Sequence, residues 1–117
     1  MLERYERSRS ERENGMILVY TTCPDTKEAM RLGARLLNEK LASAINFWPL
    51  QIMVRSGAGV ENRLGAGVLI KTMEPRFADI ESVIEESSSD EHPYAGAIDI
   101  RRFNRPYREW MTTVVRE

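Results

Sequence analysis

The sequence predicts a single α+β domain, on the evidence of three observations. Short apolar runs rich in β-branched residues, at residues 16–23 and 66–73, are typical of buried strands. Longer segments near them repeat apolar residues at helical spacing. The chain of 117 residues has the length of one domain and can bury a core without disulfides. We therefore predict one domain over residues 16–117, preceded by a separate extension over residues 1–15.

The first half of this domain is predicted to contain a strand, a helix and a second strand. The first strand, MILVYTTC, ends at Pro24. A helix follows over residues 26–39, with Asp25 or Thr26 as its N-cap. Residues 43–57 read as a second strand, and Pro49 within it indicates an edge strand or a bulge. The apolar stripe expected on the helix consists of Ala29, Met30, Gly33, Leu36, Leu37 and Leu41.

The second half is predicted to contain two strands, with a helix between them and another after them. Residues 57–67, GAGVENRLGAG, are glycine-rich and predict a loose hairpin tip before the third strand at residues 66–73. The segment 74–91 predicts a helix with Pro75 in its first turn, ended by a run of serines. Residues 95–103 predict a fourth strand, and residues 105–117 predict a C-terminal helix. The residues expected to face the core from the earlier helix are Phe77, Ile80, Val83 and Ile84.

This order of elements is that of the split βαβ, or ferredoxin-like, arrangement (βαββαβ). It predicts a four-stranded antiparallel sheet with two helices on one face, plus a C-terminal helix. The strands MILVY and GVLIKT carry apolar residues on both faces. A monomer would leave one apolar sheet surface exposed to water, so we expect a homo-oligomer that stacks these surfaces.

Composition narrows the classes of function. The extension MLERYERSRSERENG is almost wholly polar and charged, which predicts disorder. The chain has 17 basic and 18 acidic residues, a balance that argues against a nucleic-acid partner. No apolar run approaches the roughly 18 residues of a membrane helix, and the charged N-terminus does not resemble a signal peptide. A single cysteine fits a reducing compartment, and we expect a cytoplasmic protein.

Two side chains are candidates for metal chemistry. His92, the only histidine, lies in the segment DEHPYAGAID, and Cys23 ends the first strand. Together they are the soft or borderline ligands available for copper or zinc. Alternatively, His92 caps a helix end where Pro93 turns the chain, and Cys23 is a small buried residue.

Catalytic roles for the same residues are the weaker interpretation. A helix starting just after Cys23 could activate its thiolate, but a nucleophilic pair also needs an orienting group and an oxyanion pocket. General acid–base catalysis by His92 with Asp90 or Glu91 would need a further partner. Neither motif supplies these groups, so we expect no enzymatic activity and no certain cofactor.

Several segments, in order, resemble the CutA divalent-ion tolerance proteins. They are TTCPDTKEAMRLGARLLNEKLASAINFWP, LIKT, HPY (His92–Tyr94) and PYREWM, and the resemblance covers residue 16 to the end. It implies a ferredoxin-like subunit in a tight homotrimer, with a hairpin that reaches a neighbouring subunit. It also implies a role in tolerance of divalent metals, copper above all, and no known enzymatic activity.

The sequence departs from that family at three places. RSGAGVENR lacks the aromatic residues of the family's hairpin, which predicts a flexible or re-paired tip. Ala44 replaces a frequent cysteine, and AGAID follows HPY in place of Pro-Glu. An alternative function remains open: a PII-like trimeric signalling module that binds a small effector between subunits and contacts a protein partner through its hairpin.

Overall fold

The computed structural model describes residues 15–117, and the predicted order of elements is confirmed. The prediction of disorder for the extension falls on residues 1–14, outside the described part. A 3-10 turn, Glu74–Arg76, precedes the second helix. The strands are β1 (Met16–Cys23), β2 (Ala44–Ser56), β3 (Gly59–Met73) and β4 (Gly96–Ile100), and the helices are α1 (Thr26–Asn38), α2 (Phe77–Ser87) and α3 (Arg105–Val114).

The four strands form one sheet in the order β2-β3-β1-β4, and every neighbouring pair is antiparallel. This is the predicted ferredoxin-like sheet. The β2–β3 ladder runs in a single register from Ala44↔Lys71 to Ser56↔Gly59, without a bulge. Pro49 is tolerated because β2 is an edge strand, where a missing N–H leaves no partner unsatisfied.

The prediction of a loose hairpin tip is wrong. Only Gly57 and Ala58 connect β2 to β3, and Gly57 has a φ of 54°. A two-residue turn with a positive φ matches the twist of the flanking strands, so the ladder continues to the end of the hairpin. The last β1–β3 pair is Cys23↔Ala66, so residues 50–65 pair only with each other. We call residues 50–65 the hairpin arm.

The main core lies between the sheet and the helices α1 and α2. Alternate residues of β1, such as Ile17 and Val19, face these helices and are fully buried. Leu36 of α1 and Ile80 of α2 meet them with no exposed surface. A second, smaller cluster lies on the opposite face, where α3 packs Met111 against Met16.

The apolar stripe of α1 differs in part from the prediction. Leu32 is buried, whereas Met30 and Leu37 are exposed. Asp25 is the N-cap, because its side chain accepts a hydrogen bond from the backbone N–H of Glu28 at 2.8 Å. The helix therefore begins at Thr26, as predicted.

Helix α3 covers only one end of the second sheet face, and large apolar side chains are exposed on the rest. Trp48 is 37% exposed and Ile98 is 51% exposed. Ile98 pairs with Leu18, and Trp48 pairs with Gly67, which places them on this face. Tyr94 packs edge-on against Tyr20 and is 59% exposed. We call this surface the open sheet face.

Candidate functional site around Cys23

Cys23 lies at the C-terminal end of β1, where the strand leads through Pro24 into α1. It is 7% exposed and lines two clefts. The larger, the helix cleft, has a volume of about 380 Å³ and lies between the end of β1, α1 and the end of α2. The smaller, the hairpin cleft, has a volume of about 100 Å³ and is lined by Cys23, Ile52, Arg63, Leu64 and Asp90 among others.

The thiol of Cys23 is held in its protonated form. Burial, together with the nearby carboxylates of Glu28 and Asp25, raises its pKa from 9.0 to about 11. The hypothesis that the N-terminus of α1 activates this thiolate is therefore wrong. Asp25 and Glu28 occupy that helix terminus, and their negative charges together with burial oppose ionisation.

His92 lies in a turn after α2, and its side chain is exposed. Its backbone N–H donates to Asp90 Oδ1 at 3.1 Å, and the backbone N–H of Asp90 donates to Ser88 Oγ at 3.0 Å. The interpretation of His92 as part of a turn is confirmed. Its interpretation as a helix cap is wrong, because Ser88 is the C-cap of α2.

Asp90 connects this turn to the hairpin arm. Its Oδ2 accepts a hydrogen bond from the guanidinium of Arg63 at 3.2 Å, and Asp90 lines the hairpin cleft beside Cys23. His92 lines neither cleft, but it lies only two residues beyond Asp90. No sequence pattern indicated the Arg63–Asp90 pair, because residues 57–67, which include Arg63, were predicted to form a loose tip.

These donors do not fit a closed metal site within one chain. Among residues 15–117, no group of three or more His, Cys, Asp and Glu side chains is placed to hold a metal ion. A tight zinc site takes four ligands, and a thiolate ligand must first lose its proton. The pairing of Cys23 with His92 as metal ligands stays a prediction, and the buried, protonated thiol makes tight binding at one chain unfavourable.

Fold and site together define a ferredoxin-like α+β domain with an open apolar sheet face and a protonated cysteine at the end of its first strand. Residues 17–114 match the family model described as CutA1 divalent ion tolerance protein. Because this match spans most of the chain, the protein belongs to the CutA1 family.

Individual relatives agree with this assignment. The divalent-cation tolerance protein CutA of Thermococcus kodakarensis is 30% identical over 99 residues, which cover 85% of this chain and 95% of that protein. The structure of the periplasmic divalent cation tolerance protein CutA from Archaeoglobus fulgidus has a TM-score of 0.84 at 27% identity, covering 86% of this chain and 99% of that one. The structure of CutA1 from Oryza sativa has a TM-score of 0.85 at 26% identity, covering 88% and 95%. These names state no catalysed reaction.

Proposed function

We propose that this protein acts in tolerance of, or response to, divalent metal ions, copper above all, as a non-enzymatic homotrimer. The match of residues 17–114 to the CutA1 family carries this proposal. A test is the growth, in elevated copper, of a bacterial strain that lacks its own member of the family. Expression of this chain should raise the copper concentration that the strain tolerates, and unchanged growth would contradict the proposed role.

The open sheet face supports the homotrimer. Trp48, Tyr94 and Ile98 would remain in water in a single chain, and burial of apolar surface stabilises association by roughly 25 cal/mol per Å². The hairpin arm carries further exposed apolar residues, Met53, Val60 and Leu64, which a neighbouring subunit could cover. The arm is also the surface we propose for contact with any other protein.

Light scattering during size-exclusion chromatography tests the assembly directly. We expect three times the mass of 13.5 kDa, held at micromolar dilution. Ile98→Glu should lower this mass, because it places a charge on the open sheet face. Met30→Glu is the matched control, since Met30 is also an exposed apolar residue but lies on α1. A stable monomer of the unmodified chain would refute the trimer.

Metal binding, in this proposal, is weak and uses Cys23 and His92 with ligands beyond a single chain. Calorimetric titration with zinc, and with copper(I) under anaerobic conditions, tests it. The double variant Cys23→Ala/His92→Ala should lose the binding heat, whereas Met30→Leu, which alters an exposed thioether on α1, should keep it. Equal affinities for the double variant and the unmodified chain would end the metal assignment.

The PII-like alternative is not favoured, because the family model and the named relatives are those of CutA proteins. None of the helices in residues 15–117 is long and apolar enough to cross a membrane. We propose a cytoplasmic location, while the Archaeoglobus fulgidus protein is described as periplasmic. Fractionation of expressing cells distinguishes the two compartments.

A further inference from the structure

The helix cleft has the size of a small-molecule site. Its volume of about 380 Å³ falls within the roughly 300–1,000 Å³ that such sites occupy. It lies on the helix side of the sheet, where Cys23 packs with the core cluster of α1 and α2, and so faces away from the open sheet face. Stacking of sheet faces between subunits therefore does not fill it.

Two arginines of α1 line this cleft. Arg31 and Arg35 are four residues apart, which places them on the same side of the helix. Arg35 is held in place by Glu39 and Glu86, each at 2.8 Å. Arg31 makes no hydrogen bond or ion pair with any residue of the described range 15–117. Its guanidinium donors are thus available at the mouth of a concave surface.

Glu28, three residues before Arg31 on α1, adds a negative charge to the same cleft. Glu28 accepts hydrogen bonds there from the backbone N–H of Ser89 at 3.4 Å and from its hydroxyl at 3.2 Å. The buried side chains of Cys23, Leu32 and Ile84 form an apolar wall. A negative group is therefore favoured beside Arg31 and disfavoured beside the Glu28 carboxylate.

We propose that the helix cleft binds a small organic anion, whose carboxylate or phosphate lies on the Arg31 guanidinium and whose uncharged body lies against Leu32, Ile84 and Cys23. A guanidinium donates two parallel hydrogen bonds to either anionic group, which fixes its orientation. The hydroxyl of Ser88, which also lines the cleft, supplies a polar partner for the body. Cys23 is shared with the metal ligands proposed above, but the charged group of the anion binds at Arg31 of α1 and not at Cys23.

Titrations of the isotope-labelled full chain test the site by amide chemical shifts at constant ionic strength. The probes are inorganic phosphate, glycerol phosphate and valerate, with glycerol as the neutral control. We expect saturable shifts at Thr22, Arg31 and Ser88, and tighter binding of at least one organic anion than of phosphate, because only the organic probes contact the apolar wall. Glycerol should cause no saturable shift.

Arg31→Gln should weaken the binding of the organic anion by about tenfold, which corresponds to about 1.4 kcal/mol. Arg102→Gln is the matched control, because Arg102 is another exposed arginine and lies outside the cleft. The Arg102→Gln variant should bind the organic anion with the same affinity as the unmodified chain. Arg31 is exposed, so the same spectra show that the variant remains folded. Equal affinities for the two variants, shifts that cluster elsewhere, or no saturable response to any anion would overturn the proposal.

Discussion

Alkaline pH should destabilise this protein through the single thiol of Cys23. Its pKa is about 11 in the folded chain, against an ordinary value of 9.0. The unfolded chain therefore releases the thiol proton at a lower pH than the folded chain does. The stabilisation from the neutral, buried thiol is complete below pH 9 and is lost as the pH rises to about 11. Two pKa units correspond to about 2.7 kcal/mol, an upper bound for this loss.

Urea unfolding of the unmodified chain and of Cys23→Ala measures this effect. Lysines and tyrosines also titrate in the alkaline range, but they are common to both proteins, so the difference between the two curves isolates the thiol. The alanine variant should show a constant offset from lost packing and a shallower loss of stability above pH 9. Both proteins are compared at one chain concentration, since association contributes to apparent stability. Parallel curves would refute the assignment of the pKa shift to Cys23.

The remaining predictions concern stability at neutral pH. Leu36→Ala should lower the free energy of unfolding by about 3 kcal/mol, because Leu36 is fully buried. Leu37→Ala should lower it by less than about 1 kcal/mol, because Leu37 is 42% exposed. Similar losses for the two variants in urea unfolding would contradict the described orientation of α1. Asp25→Ala should lower the free energy of unfolding by about 1 kcal/mol, because it removes the acceptor for the Glu28 N–H. Asp25→Asn keeps an acceptor and should change this free energy little. Equal thermal midpoints for the two variants would argue against the cap.

The elements that sequence reasoning placed well have local signals. The apolar run of β1 and the periodic Ile80, Val83 and Ile84 of α2 are visible in a few consecutive residues, and both elements are confirmed. Because β1 carries apolar residues on both of its faces, the sequence also indicated that the second face of the sheet would need to be covered. Within residues 15–117, only the end of that face packed by α3 is covered.

The hairpin arm was predicted wrongly because a glycine can mark either a turn or a close contact inside a strand. Gly57 does mark a turn, but Gly67 lies inside β3 and leaves room for a neighbour. A Cβ atom there would lie 2.6 Å from Cζ2 of Trp48 and 2.7 Å from Cδ2 of Leu50. That close approach depends on which residue lies opposite in the ladder, which cannot be read from the glycines themselves.

For the candidate site, the sequence indicated which residues could take part but not how they are arranged. Cys23 and His92 stand out by their chemistry, but the burial of the thiol and the carboxylates that raise its pKa depend on how β1 enters α1. The helix cleft needs residues from β1, α1 and the end of α2 together. Their meeting depends on the packing of the two helices, which has no signature in a single sequence.

The length of the hairpin arm makes its ordering depend on the subunits that are proposed to pack against it. Residues 50–65 form a two-stranded ribbon that no other strand of the described chain supports, and an isolated ribbon of this kind is only marginally stable in water. Backbone amides of the arm should therefore exchange with deuterium faster as the protein is diluted, while those of β1 keep their protection. In the proposed homotrimer, the ordering of the ribbon and the association of subunits form a single equilibrium that concentration controls.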